Sequence, residues 1–231
     1  NNTITFFGST GVGNAEGGFF TGPADIAEMF QFEDNNPNSE DRRGLFVSLT
    51  SGGTIKVGNE NIIGVVSANP GYIGDAAELK WAGAYLKDKF GGRIFDTYTI
   101  YSWTTRRKER FRIFQDKNGQ QYKEYPNPSY PNGVLYDGDS IPTTANTETI
   151  DVPRINPEFN PNEEYIPRSK RKEWAPVGLL GKIHVKTSEE ITGTHIDVDE
   201  NGMAINGTKY AILNIIKPFS GSYGIVQIFL R

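Results

Sequence analysis

The chain of 231 residues contains no cysteine. That absence removes disulfide bonds, thiolate nucleophiles and cysteine-ligated metal sites together. Histidine is scarce as well: His184 and His195 are the two present, too few for a histidine-rich centre, and no metal is expected. No apolar run approaches the roughly 18–20 residues that a membrane-spanning helix needs, and the first residues carry no signal-like pattern. Neither sign of charge dominates. Lys+Arg number 24 and Asp+Glu 28, for a net charge of −4, so neither a nucleic-acid partner nor an anionic membrane is expected. A cysteine-free chain suits folding in a reducing cytosol, or a life outside the cell without redox dependence. Asn1 is no natural initiator, which points to a piece of a longer chain.

What is present favours β-structure. The 26 glycines and 13 prolines mark frequent turns, and Thr, Ile, Val, Tyr and Phe fill the stretches between them. The composition predicts a mainly β fold with one or two short helices, long enough to bury a sizeable core. Strands are expected over 2–7, over 45–49 and 54–57 flanking the turn Thr50-Ser51-Gly52-Gly53, and over the apolar run 62–66. Further strands are expected over 94–103, 110–114, 177–185, 210–217 and 224–230, the last alternating well enough to join a barrel-like sheet. Asp116-Lys117-Asn118-Gly119 reads as a hairpin turn. The best helix candidate is 75–87: Asp75 at the cap, Glu78 at capping-box spacing, Leu79, Ala82 and Leu86 as an apolar stripe, and Gly91 beyond the end. Residues 1–22 read as a flexible linker that holds a cleavage region, and 23–231 as one domain. Within it, about 126–168 carries most of the prolines and reads as an extended arm, a linker or a segment crossing to a neighbouring subunit.

Several motif fragments are incomplete. The loop Gly8 to Gly18 lacks a full G-x-G-x-x-G and has no strand-to-helix context. Gly181-Lys182 is not a phosphate loop, because Gly178 stands too close and Ile183 occupies the position of Ser or Thr. Asp197 to Gly202 resembles the start of a calcium loop, but Thr208 stands where the bidentate Glu belongs, so it reads as a turn. The basic run Arg106 to Arg110 reads as a solvated hairpin end.

The stretch with the most chemistry in it is Pro23-Ala24-Asp25-Ile26-Ala27-Glu28-Met29-Phe30. On a helical turn the spacing of Asp25 and Glu28 puts both carboxylates on one face, with Cβ atoms roughly 5–6 Å apart. Two carboxyl groups that close can divide the work of acid and base. The bland alternative is that Asp25 caps a short helix and Glu28 decorates it. Glu33, Asp34, Glu40 and Asp41 lie near enough in sequence to be partners instead.

Four blocks in order carry a resemblance: Ala24 to Phe30, Asn35 to Val47 (NNPNSEDRRGLFV), Ile62 to Gly74 (IIGVVSANPGYIG) and Tyr165 to Val185 (YIPRSKRKEWAPVGLLGKIHV). Together they resemble the intramolecular-chaperone autoproteolytic domain of phage tail-spike and neck-appendage proteins, a glutamic-type self-cleaving peptidase. The similarity runs over about 20–231 and is weak over about 100–160. It implies an intertwined homotrimeric β domain that drives trimerisation of the upstream part of its own chain and is released by a single self-cleavage. It also implies assembly in the host cytoplasm and release from the mature virion appendage. Asp25 and Glu28 match the family's acidic pair and are its expected catalytic residues. The cleaved bond is expected between Phe7 and Pro23, with Ser9 the candidate, since a scissile segment must leave the sheet, or just upstream of Asn1 if this chain is already the product. Cleavage is expected to need no cofactor, whereas the resemblance implies release linked to ATP, for which scattered cations such as Arg106, Arg107 and Lys182 are the candidates. The contrasting reading is a non-enzymatic trimeric fibre tip or receptor-binding module, with Tyr122, Tyr125, Tyr130 and Tyr136 stacking on host glycans.

Overall fold

A computed structural model describes residues 6–7, 12–13, 22, 24–77, 83–104, 110–124, 134–136, 138 and 140–231. The chain divides into two compact units, one of Asn1–Ala76 with Arg168–Arg231 and the other of Ala77–Pro167. In chain order the first unit opens with β1 (Phe6–Phe7), β2 (Val12–Gly13), β3 (Ile26–Gln31), β4 (Phe46–Leu49), β5 (Ile55–Val57), β6 (Ile62–Val66) and β7 (Tyr72–Gly74). The second unit holds β8 (Phe95–Thr104), β9 (Arg110–Gln115), β10 (Gln121–Glu124), β11 (Val134–Leu135) and β12 (Asn146–Pro153). The chain then returns to the first unit with β13 (Trp174–Thr187), β14 (His195–Val198), β15 (Ala204–Asn206), β16 (Tyr210–Ser220) and β17 (Tyr223–Leu230). The mainly β expectation holds, and among the described residues the one helical element is a 3-10 turn at Arg168–Lys170.

The 14-residue strand β13 organises the first unit. Its first half pairs with β3 on one edge and with β6 on the other, and its second half pairs with β17. Gly178 and Gly181 bracket the change of partner. A one-residue register shift falls between Gly178 and Leu180, the kind of bulge that bends a strand and strengthens its twist. From Lys182 onward the side chains alternate, with Ile183, Val185 and Thr187 buried between more exposed Lys182, His184 and Lys186. Strand β15 comes back to pair with β13 through Ala204 and Thr187, so β13, β17, β16, β14 and β15 close into a ring. Ile183, Val185, Ile196, Ala204, Val226, Ile228 and Leu230 form one core there, joined by Phe46 and Val65. Phe32, Val47, Ile55, Val66, Ala175 and Val177 form a second core in the same unit. At about 25 cal/mol per Å² of apolar surface removed from water, these two clusters dominate the stability of the unit.

In the second unit the strands run in the order β11-β10-β9-β8-β12, over a small core of Tyr98, Ile100, Phe114 and Val152. Two expectations are corrected here. The arm at 126–168 is not irregular throughout, because β12 pairs with β8 along its whole length from Asn146↔Ser102 to Pro153↔Phe95. Thr147, Thr149, Ile150 and Val152 supply β-branched side chains, and Pro153 sits at the end of an edge strand, where its missing N–H is tolerated. The helix expected over 75–87 does not form at its described ends. Asp75 and Ala77 take φ of 49° and 47°, left-handed values that a right-handed helix cannot continue through. Beyond them Tyr85 bridges to Ile155 and Lys87 to Arg93. Residues 78–82 of that helix lie outside the described residues.

Candidate active site

Asp25 stands immediately before β3 and is 5% exposed. Its carbonyl oxygen accepts the amides of Gly71 at 2.8 Å and Tyr72 at 3.3 Å, which pins the backbone. Its side chain lies against Gly178. A Cβ built on that glycine would stand 2.8 Å from Asp25 Oδ2 and 2.5 Å from Ile183 Cδ1. Only glycine leaves room for the carboxyl group. A second glycine, Gly181, takes φ of +110°, and a Cβ there would meet the Ala24 carbonyl at 2.5 Å. The chain entering β3 therefore crosses β13 where β13 has no side chains to obstruct it. Asp25 Oδ2 is buried with no hydrogen-bond partner among the described residues, a situation that costs about 1–3 kcal/mol. Such a group is retained against a standing penalty.

Glu28 is placed differently. Residues 26–31 form a strand rather than a helical turn, so the side chains alternate with a period of two. Asp25, Ala27 and Met29 are buried while Ile26 and Glu28 are exposed. Three residues of strand span about 10 Å, and an odd separation turns the two carboxylates to opposite faces. The shared face expected for Asp25 and Glu28 does not form, because tertiary pairing sets the period here: β7 holds one edge of β3 in register Ile26↔Tyr72, Ala27↔Ile73 and Glu28↔Gly74, and β13 holds the other. Glu28 lies across Gly74, where a Cβ would come within 2.9 Å of its Cγ.

The neighbouring acidic residues are tied to arginines. Arg42 donates to Asp34 Oδ1 at 2.9 Å and to Glu40 Oε2 at 2.9 Å, and its guanidinium lies 4.6 Å from the Phe32 ring centroid. Arg43 donates to both oxygens of Asp41 at 2.7 Å. These hydrogen bonds hold Asp34 and Asp41 at a pKa of about 2, well below the usual carboxylate range. Both therefore stay ionised at neutral pH and cannot supply a proton. Glu33 is exposed in the turn that follows β3.

A cavity of about 460 Å³ opens beside Asp25, within the range of ordinary ligand pockets; Asp41, Arg43, Lys182, His184, Lys186 and Tyr223 are among the residues that line it. Lys186 Nζ donates to the Asp41 carbonyl at 2.9 Å, and His184 Nε2 lies 3.3 Å from Gln227 Nε2. His184 and Lys186 were not candidates by spacing to Asp25, which lies far off in sequence. The signal that could have found them is the alternation of Lys182, His184 and Lys186, which puts all three on one face of a strand. Of the other candidates, Ser9, Arg106, Arg107, Tyr125 and Tyr130 lie outside the described residues. Tyr122 packs edge-on against Tyr98 at 6.4 Å between ring centroids, an internal contact rather than an open stacking platform. Among the described residues no cluster of three or more potential ligands could hold a metal.

Asp25 is thus a buried carboxyl group in the cavity wall of an all-β unit, its Oδ2 without a partner among the described residues. The sequence profile of the Peptidase_G2 family, the IMC autoproteolytic cleavage domain, matches residues 3–231, and the chain belongs to that family. It is 28% identical over 212 residues to the preneck appendage protein of Bacillus phage PZA, covering 90% of this chain and 19% of that protein. Against the pre-neck appendage protein of Bacillus phage phi29 the identity is again 28%, over 90% of this chain and 19% of the relative. The chain thus spans about a fifth of the length of the curated relatives it matches. Two solved structures share the fold. The pre-mature phi29 gene product 12 superposes with a TM-score of 0.66 at 27% identity, over 97% of this chain and 24% of that one. The C-terminal fragment of the same gene product gives 0.58 at 29% identity, over 90% of this chain and all of the fragment.

Proposed function

We propose that this domain is an intramolecular chaperone. In this reading it drives trimerisation of the phage appendage or tail-spike chain to which it is fused, and a single self-cleavage releases it. The family is autoproteolytic, and the observation that carries the mechanism is Asp25, a carboxyl group 5% exposed whose Oδ2 has no partner among the described residues. Asp25 and Glu28 act as the acid–base pair. One carboxylate takes a proton from water as its oxygen attacks the scissile carbonyl carbon. The other, protonated, delivers its proton to the amide nitrogen as the C–N bond breaks, leaving a carboxylic acid and an amine. Tethering holds the substrate at high effective concentration, so one turnover suffices. The scissile bond falls between Phe7 and Pro23, with Ser9 favoured because the glycine-rich stretch around it lacks a core-forming pattern. No cofactor takes part in cleavage. Release is linked to ATP by resemblance, and Lys182, Lys186 and Arg43 in the cavity wall suit phosphate oxygens. The setting is the host cytoplasm during virion assembly.

The test is expression of the domain with its native upstream sequence, read by denaturing gel and light scattering. Two fragments and a trimer mass are expected, and amino-terminal sequencing of the smaller fragment locates the cut. A chain of unchanged length in trimeric material overturns the autoprotease and favours a fibre tip. A cut domain that leaves its partner equally fast with and without ATP overturns the nucleotide link.

A further inference from the structure

We infer that the acid–base pair is completed between two copies of the chain, Asp25 from one and Glu28 from the next. This rests on the carboxylate reading above. An acid and a base that serve one peptide bond must both come within about 2.6–3.2 Å of its atoms, directly or through one water. In a single chain they cannot. Asp25 and Glu28 point to opposite faces of β3, with about 10 Å of strand between them. The sheet around them has no gap, because β3 is hydrogen-bonded to β7 over Ile26–Glu28 and to β13 over Ile26–Gln31. Ala24, the residue before Asp25, packs its carbonyl over Gly181. A bond presented to Asp25 is screened from the same chain's Glu28 by the sheet itself.

The two faces are nevertheless complementary. Asp25 and Asp41 form part of the wall of the 460 Å³ cavity, and Arg43, Lys182 and Lys186 line it as well; Arg43 is paired with Asp41, which leaves Lys182 and Lys186 to meet a carboxylate brought in from outside. Glu28 is exposed beside Ile26, 46% exposed, and Tyr72, 64% exposed. That is an acidic group set in an apolar surround, suited to burial against a neighbour. A cavity on one copy and a different face on the next make a head-to-tail contact, which closes into a ring in a trimer. The site is then whole only after assembly, and an unassembled chain is spared. The bond chemistry is unchanged: water adds across the C–N bond, with Glu28 of the neighbouring copy accepting the water proton and Asp25 donating to the amine.

The experiment mixes two inactive chains. Asp25→Asn and Glu28→Gln variants, each with the native upstream segment and a distinguishing tag, are expressed alone and together. Alone, each is expected to assemble and to cut at least about 10²-fold more slowly than wild type. Together, mixed trimers are expected to restore cut product. Mixed trimers that stay uncut, while both single variants are also uncut and wild type is cut, overturn the two-copy site and leave the pair itself standing. Either variant cutting alone at the wild-type rate overturns the pair, and the two-copy site with it. Should a variant not assemble, wild-type chain sampled during refolding decides the matter: cut product is expected in the trimer fraction alone, and a folded monomer that cuts overturns the proposal.

Discussion

Asp34, Glu40 and Asp41 each face an arginine, whereas Asp25 faces a glycine. Both acidic groups lie within the first fifth of the chain, and the arginine-bound one is the denser in charge. Yet its carboxylates are saturated: Arg42 bridges Asp34 and Glu40, and Arg43 grips Asp41. Such exposed pairs are each worth about 0.2–1 kcal/mol, and here they fasten a loop whose Asn36 side chain also donates to the carbonyls of Glu40 and Lys172. Asp25 has the opposite balance. It is buried at a cost, opens on a cavity, and is kept there by Gly178 rather than by a counter-charge. Satisfied charges organise structure, and unsatisfied ones are free to react.

The largest expected effect separates the two groups by rate. Asp25→Asn and Glu28→Gln should each slow self-cleavage by about 10²–10⁴-fold while trimers still form, because an amide keeps the size and hydrogen bonding but cannot exchange a proton near neutral pH. Asp34→Asn and Glu40→Gln should cut at close to the wild-type rate. A gel time course on the four variants decides it, and a slow Asp34→Asn would move the chemistry to the arginine-bound group.

A smaller effect tests the glycines that flank the pair. Gly178→Ala puts a methyl 2.5 Å from Ile183 Cδ1 and 2.8 Å from Asp25 Oδ2. Overpacking of this kind typically costs about 1–3 kcal/mol, or several degrees in Tm for a chain of this size. Gly74→Ala meets the flexible, exposed side chain of Glu28 instead, so its Tm should barely move while cleavage slows as Glu28 is displaced. Equal Tm losses in the two variants, by calorimetry, would erase the distinction between the buried and exposed faces of β3.

The smallest effect belongs to the arginine-bound group in acid. Asp34 has a folded pKa of about 2 against an ordinary 3.8, chiefly through its hydrogen bonds from Arg42. A depressed folded value means that the pair adds stability above the unfolded value and loses it as pH falls from about 4 through about 2. The amount should stay below about 1 kcal/mol, because Asp34 is 52% exposed and solvent screens the pair. Asp34→Asn should therefore flatten the acid limb of the Tm–pH curve slightly. An unchanged limb would mean that the pair contributes nothing to folding.

Much of the fold was readable from local signals, as the hairpin from Phe46 to Val57 and the strands β6, β13 and β17 illustrate. Turn residues and alternation are properties of neighbours in the chain, and they need no knowledge of distant partners. The strand β12 was hidden because the prolines around it outweighed its own Thr, Ile and Val in composition. The helix expected over 75–87 failed at its ends because left-handed φ values at Asp75 and Ala77 are not readable from residue type alone.

At the site, the chain by itself determined which groups could react: with no cysteine and two histidines, carboxylates were the economical choice, and Asp25 and Glu28 stood out by resemblance. Their relation was decided by tertiary structure. The segment Asp25-Ile26-Ala27-Glu28-Met29-Phe30 fits a period of 3.6 as well as a period of two, and the choice falls to β7 and β13, whose paired residues lie 46 or more positions away and supply the hydrogen bonds that make it a strand. The same pairing delivers Gly178, Lys182, His184 and Lys186 to Asp25. A carboxyl group's chemistry is written in its residue type, but its neighbours, its burial and the face it shows are properties of register, which only the folded sheet defines.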